Sequence, residues 1–190
     1  MAEATAHLAL GSTEAAASAL KNVQGVSPSS MDHETAAALG KALYTVGDHE
    51  GGRKMLRHLV QNNPDDAKVL QAVRATLSAV GKEHEAETLV DSSIQEIINE
   101  NNEGVKLAYA DQLDEAIGKL VSAAERLPGN LQIVSNAALV LALSMGKAAP
   151  SKERVQNCLK YRNMVIARDP RHPKLAQIDA LLSQTKGVQS

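Results

Sequence analysis

The feature that most constrains how this 190-residue chain can fold is an internal repeat with a period of about 34 residues. Three segments place two small residues and then a proline at successive intervals of twelve: Ala4, Ala16 and Pro28; Gly40, Gly52 and Pro64; Gly104, Ala116 and Pro128. A fourth keeps the spacing with Arg74, Ala86 and Ile98, and Ala138 begins a fifth, 34 residues after Gly104. Such a period is typical of architectures in which similar units stack in a row.

Each repeat has the apolar pattern of two helices with a turn between them. Apolar residues recur at spacings of three and four on both sides of each turn, which indicates one buried stripe per helix. The turns are predicted at Gly47-Asp48, Gly81-Lys82 and Ala110-Asp111, where a glycine suits a helix C-cap. The chain has no Phe and no Trp and builds its core from Leu, Val and Ala. Because alanine has the highest helix propensity, this composition favours an all-α fold.

Charge and hydropathy limit what the chain can bind. A formal net charge of −2 gives no general attraction for nucleic acid or anionic lipid. No apolar stretch approaches the roughly 18–20 residues that a membrane span requires. Cys158 is the only cysteine, which is typical of a reducing compartment, and its position in the repeat favours packing over a nucleophilic role. We therefore expect a cytoplasmic protein without a membrane partner.

Two chemical motifs are matched in part, and neither is complete. Gly47 and Gly52 have the opening spacing of a phosphate-binding loop, but Arg53-Lys54 follows where Lys-Ser/Thr is required. His84-Glu85 opens a zinc-protease-like string, but Thr88 stands in the place of the second histidine. We predict a protein that is not an enzyme and that binds neither a metal nor a cofactor.

Two strings resemble a known repeat family: Leu39-Gly40-Lys41-Ala42-Leu43-Tyr44-Thr45-Val46-Gly47-Asp48 and Asn62-Asn63-Pro64-Asp65-Asp66. They resemble tetratricopeptide (TPR) repeats, which stack helix A/helix B hairpins of about 34 residues with small residues where the helices touch. The resemblance implies one domain, 1–190, that forms a right-handed α-solenoid of antiparallel helix pairs with a C-terminal capping helix. The units it implies are a partial one at 1–30, full ones at about 33–66, 67–98, 99–130 and 131–170, and a closing helix at about 173–184.

A shortened interval in the middle of the array leads to two specific predictions. Arg74 and Gly104 are 30 residues apart, four fewer than the usual period. We therefore expect helix B of one unit to continue into helix A of the next through 99–101, without a loop. Gly104 and Ala116 are expected where two helices cross.

The two ends of the array depart from the pattern. Ala138 and Cys158 are 20 residues apart where twelve are usual, and the extra residues are predicted to form a loop around 146–150. At the other end, Ala4 leaves too little chain for the first turn of a complete helix A. We expect the sequence to be part of a longer protein.

A narrower resemblance is carried by four strings: Asn101-Asn102-Glu103-Gly104-Val105-Lys106-Leu107, Leu127-Pro128-Gly129-Asn130, Asn136-Ala137-Ala138 and Asp169-Pro170-Arg171-His172-Pro173-Lys174-Leu175. They resemble the C-terminal TPR region of bacterial response regulators that carry a phospho-acceptor receiver domain in front. These 190 residues do not include a receiver. The resemblance implies a non-catalytic scaffold for protein–protein interaction that acts in signal transduction, as the docking or output module of a two-component system.

The TPR resemblance also implies that the A helices line a concave face, which binds a protein or an extended peptide. The residues expected on this face are Lys41, Tyr44, Lys68, Gln71, Asn102, Tyr109, Ser135 and Asn136. Asn102 and Asn136 occupy equivalent positions, and their amides can either grip a peptide backbone or order the junction between units. The carboxylate-clamp pattern of chaperone-binding TPRs is not met, since Ala37 and Ala75 leave both asparagines without a cationic partner.

A second candidate docking patch is basic and lies near the C-terminus: Arg154, Lys160, Arg162 and Arg168. The segment 83–103 is correspondingly acidic. The alternative function is therefore self-association into a homodimer, in which the acidic middle of one copy pairs with the basic end of another. Nucleic acid is disfavoured, because only Tyr161 offers a stacking surface within the basic segment.

Overall fold

The computed structural model describes residues 31–146 and 151–186, together with 12, 15, 18 and 19. The two ranges contain eight α-helices: α1 (His33–Thr45), α2 (His49–Asn62), α3 (Ala67–Ser78), α4 (Glu83–Tyr109), α5 (Leu113–Arg126), α6 (Leu131–Met145), α7 (Lys152–Arg168) and α8 (Lys174–Lys186). All regular structure in the described residues is helical, which confirms the all-α prediction. No described helix is both long enough and apolar enough to cross a membrane. Most of the predicted partial unit at 1–30 and of the predicted loop at 146–150 lies outside the described residues.

The three predicted turns share one geometry although their sequences differ. A left-handed residue lies at the centre of each: Gly47 (φ 89°), Gly81 (φ 70°) and Asp111 (φ 65°). The residue after it donates its N–H to the carbonyl five positions back: Asp48 to Leu43 at 2.9 Å, Lys82 to Leu77 at 2.8 Å and Gln112 to Leu107 at 3.0 Å. This is the Schellman motif that often ends an α-helix. Aspartate replaces glycine in the third turn because its short polar side chain tolerates the left-handed conformation.

Several helices begin at a side chain that accepts a hydrogen bond from the first turn. Each capping side chain accepts from a main-chain N–H: Asp32 from Thr35 (2.8 Å), Asp66 from Lys68 (2.9 Å), Asn130 from Gln132 (3.1 Å) and Ser151 from Arg154 (3.1 Å). Such caps satisfy backbone donors that have no partner inside the helix. Asp66 and Asn130 belong to the Pro-containing clusters that separate the repeats in the sequence.

The small residues of the repeat lie where the two helices of a pair meet. A Cβ atom placed on Gly52 would lie 3.0 Å from the main-chain oxygen of Gly40, and one placed on Gly104 would lie 3.3 Å from the main-chain oxygen of Ala116. The sulfur of Cys158 lies 3.5 Å from the main-chain oxygen of Ala138. The predicted crossing of Gly104 and Ala116 is confirmed. Because helix backbones approach so closely here, a larger side chain would have to displace its neighbours.

Helix α4 confirms the prediction made from the shortened interval. It runs for 27 residues, Glu83–Tyr109, and passes through 99–101 without a break. The missing four residues therefore correspond to a missing turn between two repeats.

The chain divides into two compact units, 1–94 and 95–190. The core of unit 1 contains Leu39, Leu56, Val60 and Leu77, all fully buried. In unit 2, α6 packs against α5, α7 and α8, and most of its residues are buried. Its sequence is correspondingly apolar around most of its circumference. The single solenoid domain stays a prediction.

Candidate partner-binding site

Unit 2 has a cleft of about 440 Å³ where polar and apolar side chains from four helices meet. We call it the unit 2 cleft, and the residues that line it are Asn101, Asn102, Val105, Ala108, Tyr109, Leu120, Gln132, Asn136, Leu139, Val140, Leu143, Lys174 and Gln177. The α6 members recur at three- and four-residue spacings, so they lie on one face of that helix. The site is therefore built on helices rather than on loops.

Lys174 determines the orientation of three neighbouring amides, because an ammonium group can only donate hydrogen bonds. Its Nζ donates to Oδ1 of Asn136, and Asn136 Nδ2 donates to Oδ1 of Asn101 at 2.9 Å. Asn101 Nδ2 then donates to Oδ1 of Asn102 at 3.2 Å. We call these four residues the amide chain. Its two ends, the Lys174 ammonium and the Asn102 NH2 group, are both donors.

Lys174 has only neutral partners among the residues that the structure describes. Besides Asn136, its Nζ lies 3.4 Å from Oγ of Ser135, and none of the ion pairs in the described ranges includes it. The side chain is half-buried, and burial lowers the pKa of Lys174. It is also the first residue of α8, at the positive end of a helix dipole, where a cation is unfavourable. The polar end of the cleft is therefore electropositive.

The opposite part of the cleft is apolar and ends at an exposed aromatic ring. Val105, Leu139 and Leu143 line it and are each half-buried. Tyr109, near the end of α4, is 90% exposed. Tyrosine is enriched among the residues that contribute most to binding at protein interfaces. Apolar walls with a few convergent polar groups are typical of concave ligand-binding sites.

The cleft brings together three of the predicted concave-face residues: Asn102, Tyr109 and Asn136. A fourth, Ser135, is fully buried; its hydroxyl donates to the main-chain oxygen of Gln132 at 3.0 Å and accepts from Lys174. Three others are exposed on unit 1: Lys41, Lys68 and Gln71. Asn136 is itself 8% exposed, so it supports the site from beneath, whereas Asn102 presents its amide at the surface.

One expectation from the sequence is wrong, because Asn136 does have a cationic partner. Lys174 supplies it from 38 residues further along the chain. The 34-residue register did not find this lysine, since the lengthened connection before α7 displaces the segment that follows. Asn101 was not predicted as a site residue, although two consecutive asparagines, Asn101 and Asn102, indicated a polar position in the helix. It is 4% exposed and links the other two asparagines.

Tyr44, the remaining predicted residue, lies in the core of unit 1. It is 5% exposed, and its hydroxyl donates to Oε1 of Glu85 at 2.6 Å, the same oxygen that Arg53 Nε reaches at 2.5 Å. Burial, together with Glu85, raises the pKa of Tyr44 to about 12. Burial alone would raise the pKa of Glu85, but the hydrogen bonds from Arg53 and Tyr44 outweigh it and the pKa is lowered. Tyr44 is therefore a core residue and is not accessible to a partner, contrary to the expectation that it lies on the concave face.

The four residues of the predicted basic patch all have partners inside unit 2. Arg154 bonds Asp114 at 2.9 Å, Lys160 lies 4.0 Å from Glu125, Arg162 makes two bonds to Asp179 at 2.5 and 3.0 Å, and Arg168 donates to the main-chain oxygen of Pro128 at 2.6 Å. The bond from Arg162 lowers the pKa of Asp179. An outside ligand would have to compete with these internal contacts.

Cys158 is fully buried, and burial raises the pKa of its thiol to about 11. Because the thiolate is the reactive form, this environment suppresses nucleophilic chemistry. In the described ranges, no three His, Cys, Asp or Glu side chains are arranged to hold a metal ion.

Comparison with known proteins returns no relative: no family model matches the chain, and neither a curated protein nor a solved structure matches it.

Proposed function

We propose that this protein is a non-catalytic interaction scaffold and that its unit 2 cleft holds a segment of another protein. The observation that carries the proposal is the composition of the cleft. It joins a half-buried apolar wall, an aromatic ring that is 90% exposed, and a polar end where the described residues do not use every donor of Lys174 and Asn102. Burying Tyr109 and the wall against a partner would remove apolar surface from water, which is the main source of association energy.

The repeat pattern supports the same proposal. If the helix pairs stack as in TPR proteins, the cleft lies on the A-helix side, since α6 and the last part of α4 occupy A positions. The identical turns and the close small-residue crossings agree with that register. The narrower part of the proposal, a docking or output module of a bacterial two-component system, depends on the sequence resemblance alone.

Self-association through the acidic middle and the basic end has less support. It needs free cationic groups, and Arg154, Lys160 and Arg162 each have an acidic partner within unit 2. An exposed ion pair contributes little free energy. Replacing an internal pair with an intermolecular one would therefore add little to the free energy of association. The homodimer stays an alternative that the following experiment also tests.

Site-specific photocrosslinking tests the proposed function. The photoreactive amino acid benzoylphenylalanine would replace Tyr109 in one variant and, as a matched control on the same unit, Leu159, which is 41% exposed on α7. Crosslinking in extracts of the source cells should give adducts with a defined segment of another protein at position 109 and not at 159. The recovered peptide should bind the purified chain, and Tyr109→Ala should weaken that binding about tenfold or more.

Two outcomes would count against the proposal. Adducts between copies of the chain would favour self-association. Equal labelling at 109 and 159 would mean that the cleft has no special affinity for a partner.

A further inference from the structure

We infer that the segment held in the unit 2 cleft carries a carboxylate side chain, Asp or Glu, next to an aliphatic or aromatic side chain. This inference rests on the proposed function and adds the chemical class of the ligand. It follows from which groups of the amide chain remain unused.

The first step is the count of donors and acceptors at the polar end. Lys174 has three N–H donors, of which Asn136 and Ser135 take two. In the amide chain, the Oδ1 atoms of Asn136, Asn101 and Asn102 all accept from within the chain. The Asn102 end keeps its NH2 group and the second lone pair of its Oδ1, whereas the Lys174 end has only a donor left, so a ligand group at the lysine must be an acceptor. A carboxylate has up to four acceptor sites and no donor when ionised.

The second step is charge. Lys174 is half-buried, has only neutral partners among the described residues and stands at the positive end of α8. A neutral acceptor would complete its hydrogen bonding but would leave the cation without a counter-charge. A carboxylate supplies both, and charge-assisted hydrogen bonds are stronger than neutral ones. Electrostatic complementarity therefore selects an acidic group at this end.

The third step is the neighbouring wall. Leu139 and Leu143 follow Asn136 by three and seven positions, so the wall continues along the same face of α6 from the polar end. The side chain beside the acidic residue therefore meets apolar surface and Tyr109. A Leu, Ile, Met or Phe at that position would bury area that a polar residue would not.

The fourth step decides between an internal acidic side chain and a chain terminus. The two donor ends are separated by the whole amide chain. A carboxylate at Lys174 therefore leaves the Asn102 NH2 group for another acceptor. A main-chain carbonyl of the bound segment can fill that place. A terminal carboxylate can meet Lys174 only where a chain ends, whereas an acidic side chain can meet it from any segment that runs through the cleft. The ligand group is therefore an internal acidic side chain.

Two random-peptide libraries test the inference on the full chain. One displays short peptides at the N-terminus of a phage coat protein, which leaves no free carboxyl terminus, and the other displays peptides that end in one. Selection is run in parallel against the wild type, Lys174→Met, Lys174→Arg and, as a matched control, Lys152→Met, an exposed lysine of unit 2. Circular dichroism melts establish that each variant is folded.

The first library should yield peptides enriched in Asp or Glu adjacent to a large apolar residue. The acidic preference should persist with Lys152→Met and Lys174→Arg and disappear with Lys174→Met. For the strongest peptide, replacing its acidic residue with the matching amide should weaken binding to the wild-type protein by about tenfold. This last comparison needs no protein variant, so it decides the question even if Lys174→Met fails to fold.

Three results would overturn the inference. Peptides that require Tyr109 and Asn102 but show no acidic preference would leave the proposed function standing and refute the ligand class. Enrichment only in the free-terminus library would refute the internal side chain. If no selected peptide depends on Tyr109, Asn102 or Lys174, both the inference and the proposed function fail.

Discussion

Both units place polar side chains between packed helices, but the hydrogen-bond networks of these side chains differ. In unit 1, Tyr44 and Arg53 both donate to one carboxylate, Glu85, so that the cation has a counter-charge and the hydroxyl a partner. In unit 2, Lys174 begins a chain of amides that contains no carboxylate and ends at the Asn102 NH2 group, which bonds none of the residues that the structure describes. The first network is closed and the second is open.

Tyr44 of unit 1 and Tyr109 of unit 2 differ in their exposure to solvent. Tyr44 follows the small residue Gly40 by four positions and is buried, whereas Tyr109 follows Gly104 by five and is 90% exposed. One residue rotates a side chain by about 100° around a helix. The position equivalent to Tyr44 is Ala108, whose small side chain lines the unit 2 cleft.

One repeat pattern thus gives a unit with a charge-balanced polar network and a unit that carries the proposed binding cleft. In unit 1 the cation and the carboxylate balance each other, so we expect this network to contribute mainly to stability. An open one leaves hydrogen-bonding capacity and charge at the surface. The predictions below test whether the two networks differ as their geometry indicates.

The largest expected effect comes from enlarging the residues at the helix crossings. A Cβ on Gly52 would lie 2.5 Å from the Tyr44 ring, and one on Gly104 would lie 2.7 Å from Cγ of Leu120. Gly52→Leu and Gly104→Leu should each destabilise the protein by about 3 kcal/mol, the upper part of the range for overpacking. Gly118→Leu is the control, because a Cβ there meets nothing within 4 Å, and it should not destabilise. Urea denaturation followed by circular dichroism measures all three.

Cys158 is buried in unit 2, so its reactivity reports on the opening of that unit. Thiol reagents should label Cys158 in the folded protein only through opening of unit 2, since the thiol is fully buried and its pKa is raised to about 11. Gly104→Leu should therefore accelerate labelling in native buffer far more than Gly52→Leu. Equal acceleration would show that the units open together and that the comparison between them does not extend to stability.

The second prediction separates two asparagines that the repeat register treats as equivalent. Asn136→Ala removes a buried amide and leaves Asn101 and Lys174 each short of a partner. It should destabilise by about 2 kcal/mol. Asn102→Ala removes the acceptor of Asn101 Nδ2, but Asn102 is exposed and water can replace its oxygen. It should therefore change stability by less than about 0.5 kcal/mol while weakening binding of a peptide ligand. Thermal melts and peptide titrations should thus rank the two variants in opposite orders, and a common order would contradict the open-chain interpretation.

The third prediction uses pH to distinguish the networks. The pKa of Glu85 is lowered in the folded protein, so its stabilising contribution is present above the ordinary value of 4.5 and is lost as pH falls through the folded pKa. Glu85→Gln should cost about 1 kcal/mol near neutral pH, and its difference from the wild type should shrink below pH 4.5. The cost of Asn136→Ala should persist over the same range, because the amide chain contains no carboxylate. Urea midpoints measured against pH would refute this if both differences faded together.

The smallest expected effect is a stabilisation. Gly118 lies in the exposed interior of α5 with open space around its Cα hydrogen, so Gly118→Ala should add about 0.5–1 kcal/mol through helix propensity alone. Gly104→Ala should gain the same propensity but lose it to contact with Leu120. A larger gain in melting temperature for Gly104→Ala would mean that its crossing has room the structure does not show.

The sequence by itself determined the features that depend on residues close together along the chain. The turns at Gly47, Gly81 and Asp111, the crossing of Gly104 with Ala116 and the unbroken α4 were all predicted from spacing. Their physical cause is local, because a Schellman turn, an N-cap or a small residue at a crossing involves partners that are close in sequence. For the same reason the register also placed Asn102, Tyr109 and Asn136 on one surface.

Only the tertiary structure decided which polar groups are satisfied and which are free. Tyr44 and Tyr109 carry the same side chain in neighbouring positions of the repeat, yet their roles differ because a one-residue shift directs them to opposite environments. Lys174 reaches Asn136 across 38 residues and an irregular connection, and Arg154 and Arg162 of the basic patch have acidic partners on other helices. The donor–acceptor distance of a hydrogen bond can vary by only a few tenths of an ångström, and its angle is restricted as well. Spacing in the sequence specifies the face on which a side chain lies, but the packed helices determine whether its partner is within reach.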